Sequence, residues 1–162
     1  MGEEIKKNSE EKSKKINFSK QGKKNRAAGG KFEAKVRADL EKLGWVVSKW
    51  MNTIDYNRED GTGKIVPAKR KYNPFMKIMT IGVGFPDFVC FRRTETGDNF
   101  EVIGLEVKSN GYLDQIEKGM CYWLIENKVF SRILIARVAK EKEGKKAGIE
   151  YMDFVEKYNK KQ

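Results

Sequence analysis

Two acids and a lysine stand inside the most apolar stretch of this chain, and they restrict how it can fold. Asp87 follows Gly84-Phe85-Pro86 and opens the run Phe88-Val89-Cys90-Phe91, while Glu106 and Lys108 lie within Gly104-Leu105-Glu106-Val107-Lys108. A polar turn through Thr96-Gly97-Asp98-Asn99 separates the two runs. The pattern predicts a β-hairpin with strands over Phe88–Phe91 and Phe100–Lys108. Side chains alternate along a strand, so Glu106 and Lys108 project from one face. Charges beside a core are unfavourable unless they are paired or bind a metal. Two carboxylates beside one ammonium on a rigid sheet can hold a hard divalent cation and a polarised water against a phosphate. Taken singly, the same residues have ordinary roles: Pro-Asp often precedes a strand, and an acid-x-lysine step often makes a cross-strand ion pair.

The remaining pattern sets the frame. Residues 1–28 carry nine Lys/Arg, four Glu and almost no large apolar side chains. Such a segment buries too little surface to offset its ordering entropy, which predicts a flexible basic arm. Phe32, Val36, Leu40 and Leu43 then recur at helical spacing, predicting a helix over Lys31–Leu43 capped by Gly44. Trp45–Trp50 reads as a strand. Residues 51–80 show no period and read as an insertion, a long loop or irregular hairpin. After Asn110-Gly111 a helix is expected over Leu113–Asn127, with Leu113, Ile116, Met120, Trp123 and Leu124 on one side. Arg132–Val138 reads as a buried strand and Ile149–Phe154 as a short final strand. The order predicts an α/β fold, a single domain over 29–158 with a mixed β-sheet flanked by helices.

Charge and composition narrow the chemistry. A net charge of +11 calls for an anionic partner, either nucleic acid or membrane surface. No apolar run of about 18 residues exists and the N-terminal stretch is Lys-rich, so neither a spanning helix nor a signal peptide is expected. A soluble, cytoplasmic protein that binds nucleic acid fits best. The chain contains no histidine, which excludes serine–histidine and cysteine–histidine triads and histidine-based zinc sites. Any chemistry must come from carboxylates, lysine and metal. Cys90 and Cys121 are too few for a zinc site and lie in apolar segments, so buried free thiols are expected.

As they stand, Gly84-Phe85-Pro86-Asp87 and Glu106-Val107-Lys108 resemble the PD-(D/E)xK nuclease superfamily, over roughly residues 29–138. The resemblance implies a restriction-endonuclease-like sheet and an Mg²⁺-dependent deoxyribonuclease, with Mn²⁺ as a substitute, that leaves a 5′-phosphate. Asp87, Glu106 and the backbone carbonyl of Val107 would be the metal ligands. Lys108 would orient the attacking water and stabilise charge developing on the phosphate. The superfamily often carries a glutamate on its first helix, and Glu33 fills that place as a contributor to a second metal or its water. By helical geometry Glu33 borders the apolar stripe, about 100° from Phe32. Many members also carry a glutamine on the helix after the lysine strand, where Gln115 stands. An ordinary solvated glutamate and a surface or capping glutamine are the competing views of these two.

Two branches of the superfamily are similar in different ways. Glu33 and the small size resemble archaeal-type Holliday-junction resolvases. The 18 residues between Asp87 and Glu106, the Lys69-Arg70-Lys71 run and Gln115 resemble virus-type replication-repair nucleases. The insertion 51–80 departs from the resolvase pattern. Lys69, Arg70, Lys71, Tyr72 and Lys77 would clamp a DNA backbone, or form a solvated loop. The implied partner is branched or duplex DNA, cut by a homodimer whose interface would come from the Tyr122/Trp123 helix or from Ile133–Ala136. A non-catalytic nucleic-acid-binding protein that retains the fold is the alternative.

Overall fold

The computed structural model describes residues 2–57, 59–73, 78–81, 84–139 and 147–158, with side chains for 21–57, 59–69, 84–139 and 147–158. The chain falls into two units, Met1–Lys35 and Val36–Gln162. Helix α1 spans Gly2–Lys42, so residues 2–28 are helical and the helix does not begin at Lys31. The segment is rich in Lys and Glu and has no proline, which favours helix locally. Its missing apolar stripe bears on packing rather than on backbone propensity.

In the second unit, β1 (Val46–Lys49), β6 (Phe88–Arg93), β7 (Phe100–Val107), β8 (Arg132–Val138) and β9 (Ile149–Asp153) form one mixed sheet in the order β1-β6-β7-β8-β9. Every pairing is antiparallel except β7 with β8. Parallel neighbours need a crossover, and α2 (Gln115–Glu126) lies between them in the chain. The expected hairpin is therefore present as β6–β7. Residues 51–80 hold two further hairpins, β2 (Asn52–Tyr56) with β3 (Gly63–Pro67) and β4 (Arg70–Asn73) with β5 (Ile78–Ile81). The first is a regular ladder rather than a loop. Only Ile54 of its two strands is buried, so no two-residue apolar period marks it in the sequence.

The core gathers Ile103, Leu105, Leu124, Ile133, Ile135 and Phe154, all fully buried. Val36 and Leu40 bury the last turns of α1, but Leu43, beyond the helix end, is 58% exposed and leaves the expected stripe. On α2 the buried face is Met120, Cys121 and Leu124, while Ile116 is exposed. The strand expected to reach Phe154 stops at Asp153. Asp153 Oδ1 accepts the Val155 N–H at 2.8 Å and opens α3 (Phe154–Tyr158), whose Phe154 ring meets Tyr122 edge-on at 4.7 Å. Ile133, Ile135 and Ala136 are interior, while Leu134 between them is half-buried. Cys90 and Cys121 are buried free thiols, as expected. Among the described residues no helix is long and apolar enough to cross a membrane.

Candidate functional site

Three pieces of backbone meet at one end of the sheet: the end of β1, the segment Gly84–Asp87 leading into β6, and the end of β7. The β6–β7 register pairs Phe88 with Leu105, and extending it by one residue sets Asp87 opposite Glu106 on the same face. The Asp87 N–H donates to Glu106 Oε2 at 3.0 Å, and the Val107 N–H donates to Asp87 Oδ2 at 3.0 Å. Each acid is therefore held by the backbone beside the other. Both are buried, with Asp87 7% and Glu106 6% exposed.

Gly84 makes this placement possible. A Cβ there would lie 2.0 Å from the Trp50 carbonyl oxygen and 2.7 Å from that of Asn52, so only glycine admits the approach. The Phe85 N–H then donates to the Asn52 carbonyl at 2.9 Å, and the Trp50 N–H to the Asp87 carbonyl at 3.1 Å. Pro86 between them is fully buried.

Two lysines face the acids. Lys49 Nζ lies 3.4 Å from Asp87 Oδ1 and 4.5 Å over the Phe88 ring. Lys108 Nζ lies 3.3 Å from Glu106 Oε1, so the alternation expected along β7 holds, and 2.5 Å from Glu117 Oε1. Glu117 is in the first turn of α2. Its Oε2 accepts the Asp114 N–H at 2.9 Å, and Asp114 Oδ1 accepts the Glu117 N–H at 2.8 Å. This capping box fixes the helix start and, through the other oxygen of Glu117, the lysine.

Asp87, Glu106 and Glu117 meet Lys49 and Lys108 in one cluster of ion pairs. Burial, and then the Asp87 charge, push the Glu106 carboxyl up to about 8, although Lys108 opposes the shift. Burial pulls Lys108 down, but the Glu117 hydrogen bond and the Glu106 charge outweigh it and hold the ammonium above the ordinary lysine value. Lys108 is thus a permanent cation, suited to stabilising negative charge and not to accepting a proton.

Two adjacent buried carboxyl groups are a donor set that a divalent cation can use. Among the described residues no group of three or more Cys, Asp or Glu side chains is arranged to hold a metal, so an all-protein cage is excluded there. Mg²⁺ characteristically takes one or two carboxylates and completes its shell with water and substrate phosphate. Asp87 and Glu106 match that demand.

The other predicted residues fall elsewhere. Glu33 belongs to the first unit and is half-buried on α1. Gln115 is exposed at the start of α2, and the residue of that turn that reaches Lys108 is Glu117. Lys69 is exposed just before β4. The backbones of Arg70, Lys71 and Tyr72 lie in β4, but their side chains, and Lys77 altogether, lie outside the described residues. Sequence reasoning missed Lys49 and Glu117. Asp114-x-x-Glu117 was the available signal for the second, since that spacing before an apolar run marks a capping box. Lys49 had none, because its partner is 38 residues away in the chain. Comparisons with known families, characterised proteins and solved structures find no match to this chain, so function rests on the site's own geometry.

Proposed function

We propose that this chain is a metal-dependent DNA endonuclease that hydrolyses phosphodiester bonds, selecting its substrate by structure, as in a Holliday junction or other branched DNA. The observation that carries the reading is the interlock of Asp87 and Glu106 across β6 and β7, with Lys108 held beside them. Such an arrangement places two buried acids and a fixed cation where nothing in the packing of the sheet calls for charge.

Asp87 and Glu106, with the Val107 carbonyl, would hold Mg²⁺ or Mn²⁺. A cation bound there would polarise a phosphate oxygen and acidify a water. Lys49 keeps Asp87 turned toward the site, and the Val107 N–H fixes its second oxygen. Lys108, kept charged by Glu117, faces the charge that develops on the phosphate. The net charge of +11 supplies attraction for the polyanion without sequence preference. Symmetric cutting of a four-way junction would need two copies of the chain.

The second reading is a nucleic-acid-binding protein without catalysis. It is favoured by Lys108 being paired with two carboxylates, as in a structural ion-pair cluster. Incubation with Mg²⁺ and a panel of labelled branched and linear DNAs, followed by mapping of the cuts, separates the two. Metal-dependent cleavage lost in Asp87→Asn supports the enzyme. Binding without cleavage of any member supports the second reading.

A further inference from the structure

Tyr112 is the most exposed large hydrophobic side chain among the described residues, at 66%, and it follows the proposed catalytic strand directly. The chain turns tightly from Lys108, with the Gly111 N–H donating to the Lys108 carbonyl at 2.7 Å. Four residues of trans backbone keep the Tyr112 and Lys108 Cα atoms within ~15 Å, and the turn brings them closer. The turn therefore attaches Tyr112 close to the strand end that carries Lys108.

A surface tyrosine is ordinary when its backbone is free to move. Here the segment is pinned on every side. Gly111 sits at φ 76, and a Cβ there would lie 2.8 Å from Arg137 Cδ and 2.9 Å from Met152 Cε. The Tyr112 N–H donates to Asn110 Oδ1 at 3.1 Å, and the Leu113 N–H donates to the Tyr158 hydroxyl at 3.1 Å. Lys157 Nζ donates to the Gly111 carbonyl and lies 4.7 Å from the Tyr112 ring centroid and 5.1 Å from that of Tyr158. Lys118 Nζ lies 4.6 Å over the Tyr158 ring. Buried Leu113 anchors the next position.

The result is an exposed ring held out from a rigid turn, with Lys157 over one face and a second lysine over the neighbouring Tyr158 ring, which leaves the other face of Tyr112 for a base. Aromatic rings flanked by ammonium groups are the surface that single-stranded nucleic acid uses, bases stacking on the ring and phosphates meeting the cations. A paired base has both faces covered by its neighbours in the duplex and cannot use it. We infer that Tyr112 and Lys157 form a stacking subsite for an unpaired nucleobase beside the scissile phosphate. The substrate class is thereby narrowed to DNA with unpaired nucleotides at the cut, such as a flap or splayed arm, rather than a fully paired four-way junction. The inference rests on the nucleic-acid reading of the neighbouring site but not on its catalysis.

The test uses the full-length protein in EDTA, where nothing is cut, with splayed-arm DNA carrying 2-aminopurine at unpaired positions and a blunt duplex of the same length. The expected result is tighter binding of the splayed DNA, with quenching of the unpaired 2-aminopurine. Tyr112→Leu should weaken that binding about tenfold and abolish the quenching, while Tyr112→Phe keeps both. Lys157→Ala should weaken it less. Blunt-duplex binding and the thermal melt should stay unchanged in Tyr112→Leu, because the ring is exposed. Equal binding of both DNAs, or quenching that survives Tyr112→Leu, overturns the inference. A parallel Mg²⁺ reaction keeps the two readings apart. Tyr112-dependent binding with no cleavage sinks the nuclease and keeps the subsite, whereas cleavage of blunt duplex indifferent to Tyr112→Leu keeps the nuclease and sinks the subsite.

Discussion

Replacing Glu106 by glutamine should make the metal-free protein more stable at neutral pH and remove most of its pH dependence between pH 5 and 8. The Glu106 carboxyl is raised from 4.5 to about 8 by burial and by Asp87. An acid raised in the folded state keeps its proton where the unfolded chain has already lost it. The unfolded state then binds fewer protons, so stability falls as pH rises through the window and levels off above about pH 8. Each unit of pKa shift corresponds to ~1.4 kcal/mol, and the interval from pH 5 to pH 8 therefore removes about 3 kcal/mol. Glutamine keeps the shape and can still accept the Asp87 N–H, but it carries no proton to lose. The chain has no histidine, and burial pushes both cysteines upward, so little else titrates in this window. The assay is urea unfolding followed by tryptophan fluorescence at pH 5, 6, 7 and 8 in EDTA. Equal pH slopes in the two proteins would refute the reasoning. So would a variant less stable than wild type at pH 8, because that outcome makes Glu106 a structural partner of Lys108.

Four further outcomes are expected. Lys108→Ala should lower the cleavage rate by roughly 10²–10³ with DNA affinity nearly unchanged, and Glu117→Gln by roughly tenfold, since it retains the cap but loses the charge that holds Lys108; single-turnover kinetics would show whether the order is reversed. Cleavage should require Mg²⁺ or Mn²⁺ and fail in EDTA or with Ca²⁺ alone, and Mg²⁺ should raise the melting temperature of wild type but not of Asp87→Asn. Gly84→Ala should cost several kcal/mol, about 3 or more, because the new Cβ would fall 2.0 Å from a backbone oxygen; a melting temperature within a few degrees of wild type, as expected for a change well under ~1 kcal/mol, would contradict that packing. Deleting residues 1–28 removes nine basic and four acidic residues and should flatten the salt dependence of DNA binding by ~0.9 in log–log slope for each phosphate no longer neutralised; an unchanged slope would show that the segment touches no phosphate.

The part of the site that was legible in the sequence is the part built by local rules. Alternation along one strand put Glu106 and Lys108 together, and a hairpin with a polar turn put Asp87 opposite them, because register follows from the turn and the apolar face. Glu117 was half legible. Its capping-box spacing announces a helix start, but that Lys108 would be its partner depends on how α2 returns over the sheet. Lys49 was not legible, since it meets Asp87 only because β1 pairs antiparallel with β6, setting Lys49 opposite Phe88. The β2–β3 hairpin escaped for a different reason: it buries Ile54 alone, so its register comes from backbone ladders and from Asn57 and Asp60 side chains in the turn. The N-terminal part of α1 escaped because backbone propensity without an apolar stripe leaves no periodic signal to read.

These failures share a cause that bears on the site itself. Apolar periodicity reports what a segment buries, and the residues that hold the two acids and Lys108 in place are mostly polar. Lys49, Glu117, Asp114 and the backbone N–H groups of Asp87 and Val107 hold the cluster through hydrogen bonds and ion pairs between elements far apart in sequence. A buried acid pair persists only if such interactions over-determine its geometry. If the pair were an accident of packing, substitution by an uncharged isostere should stabilise the fold and change nothing else. If the pair is there to meet a cation, the same substitution should stabilise the metal-free fold and abolish Mg²⁺-dependent chemistry together. Glu106→Gln, measured for both properties in one preparation, therefore tests the purpose of the charge as well as its energy.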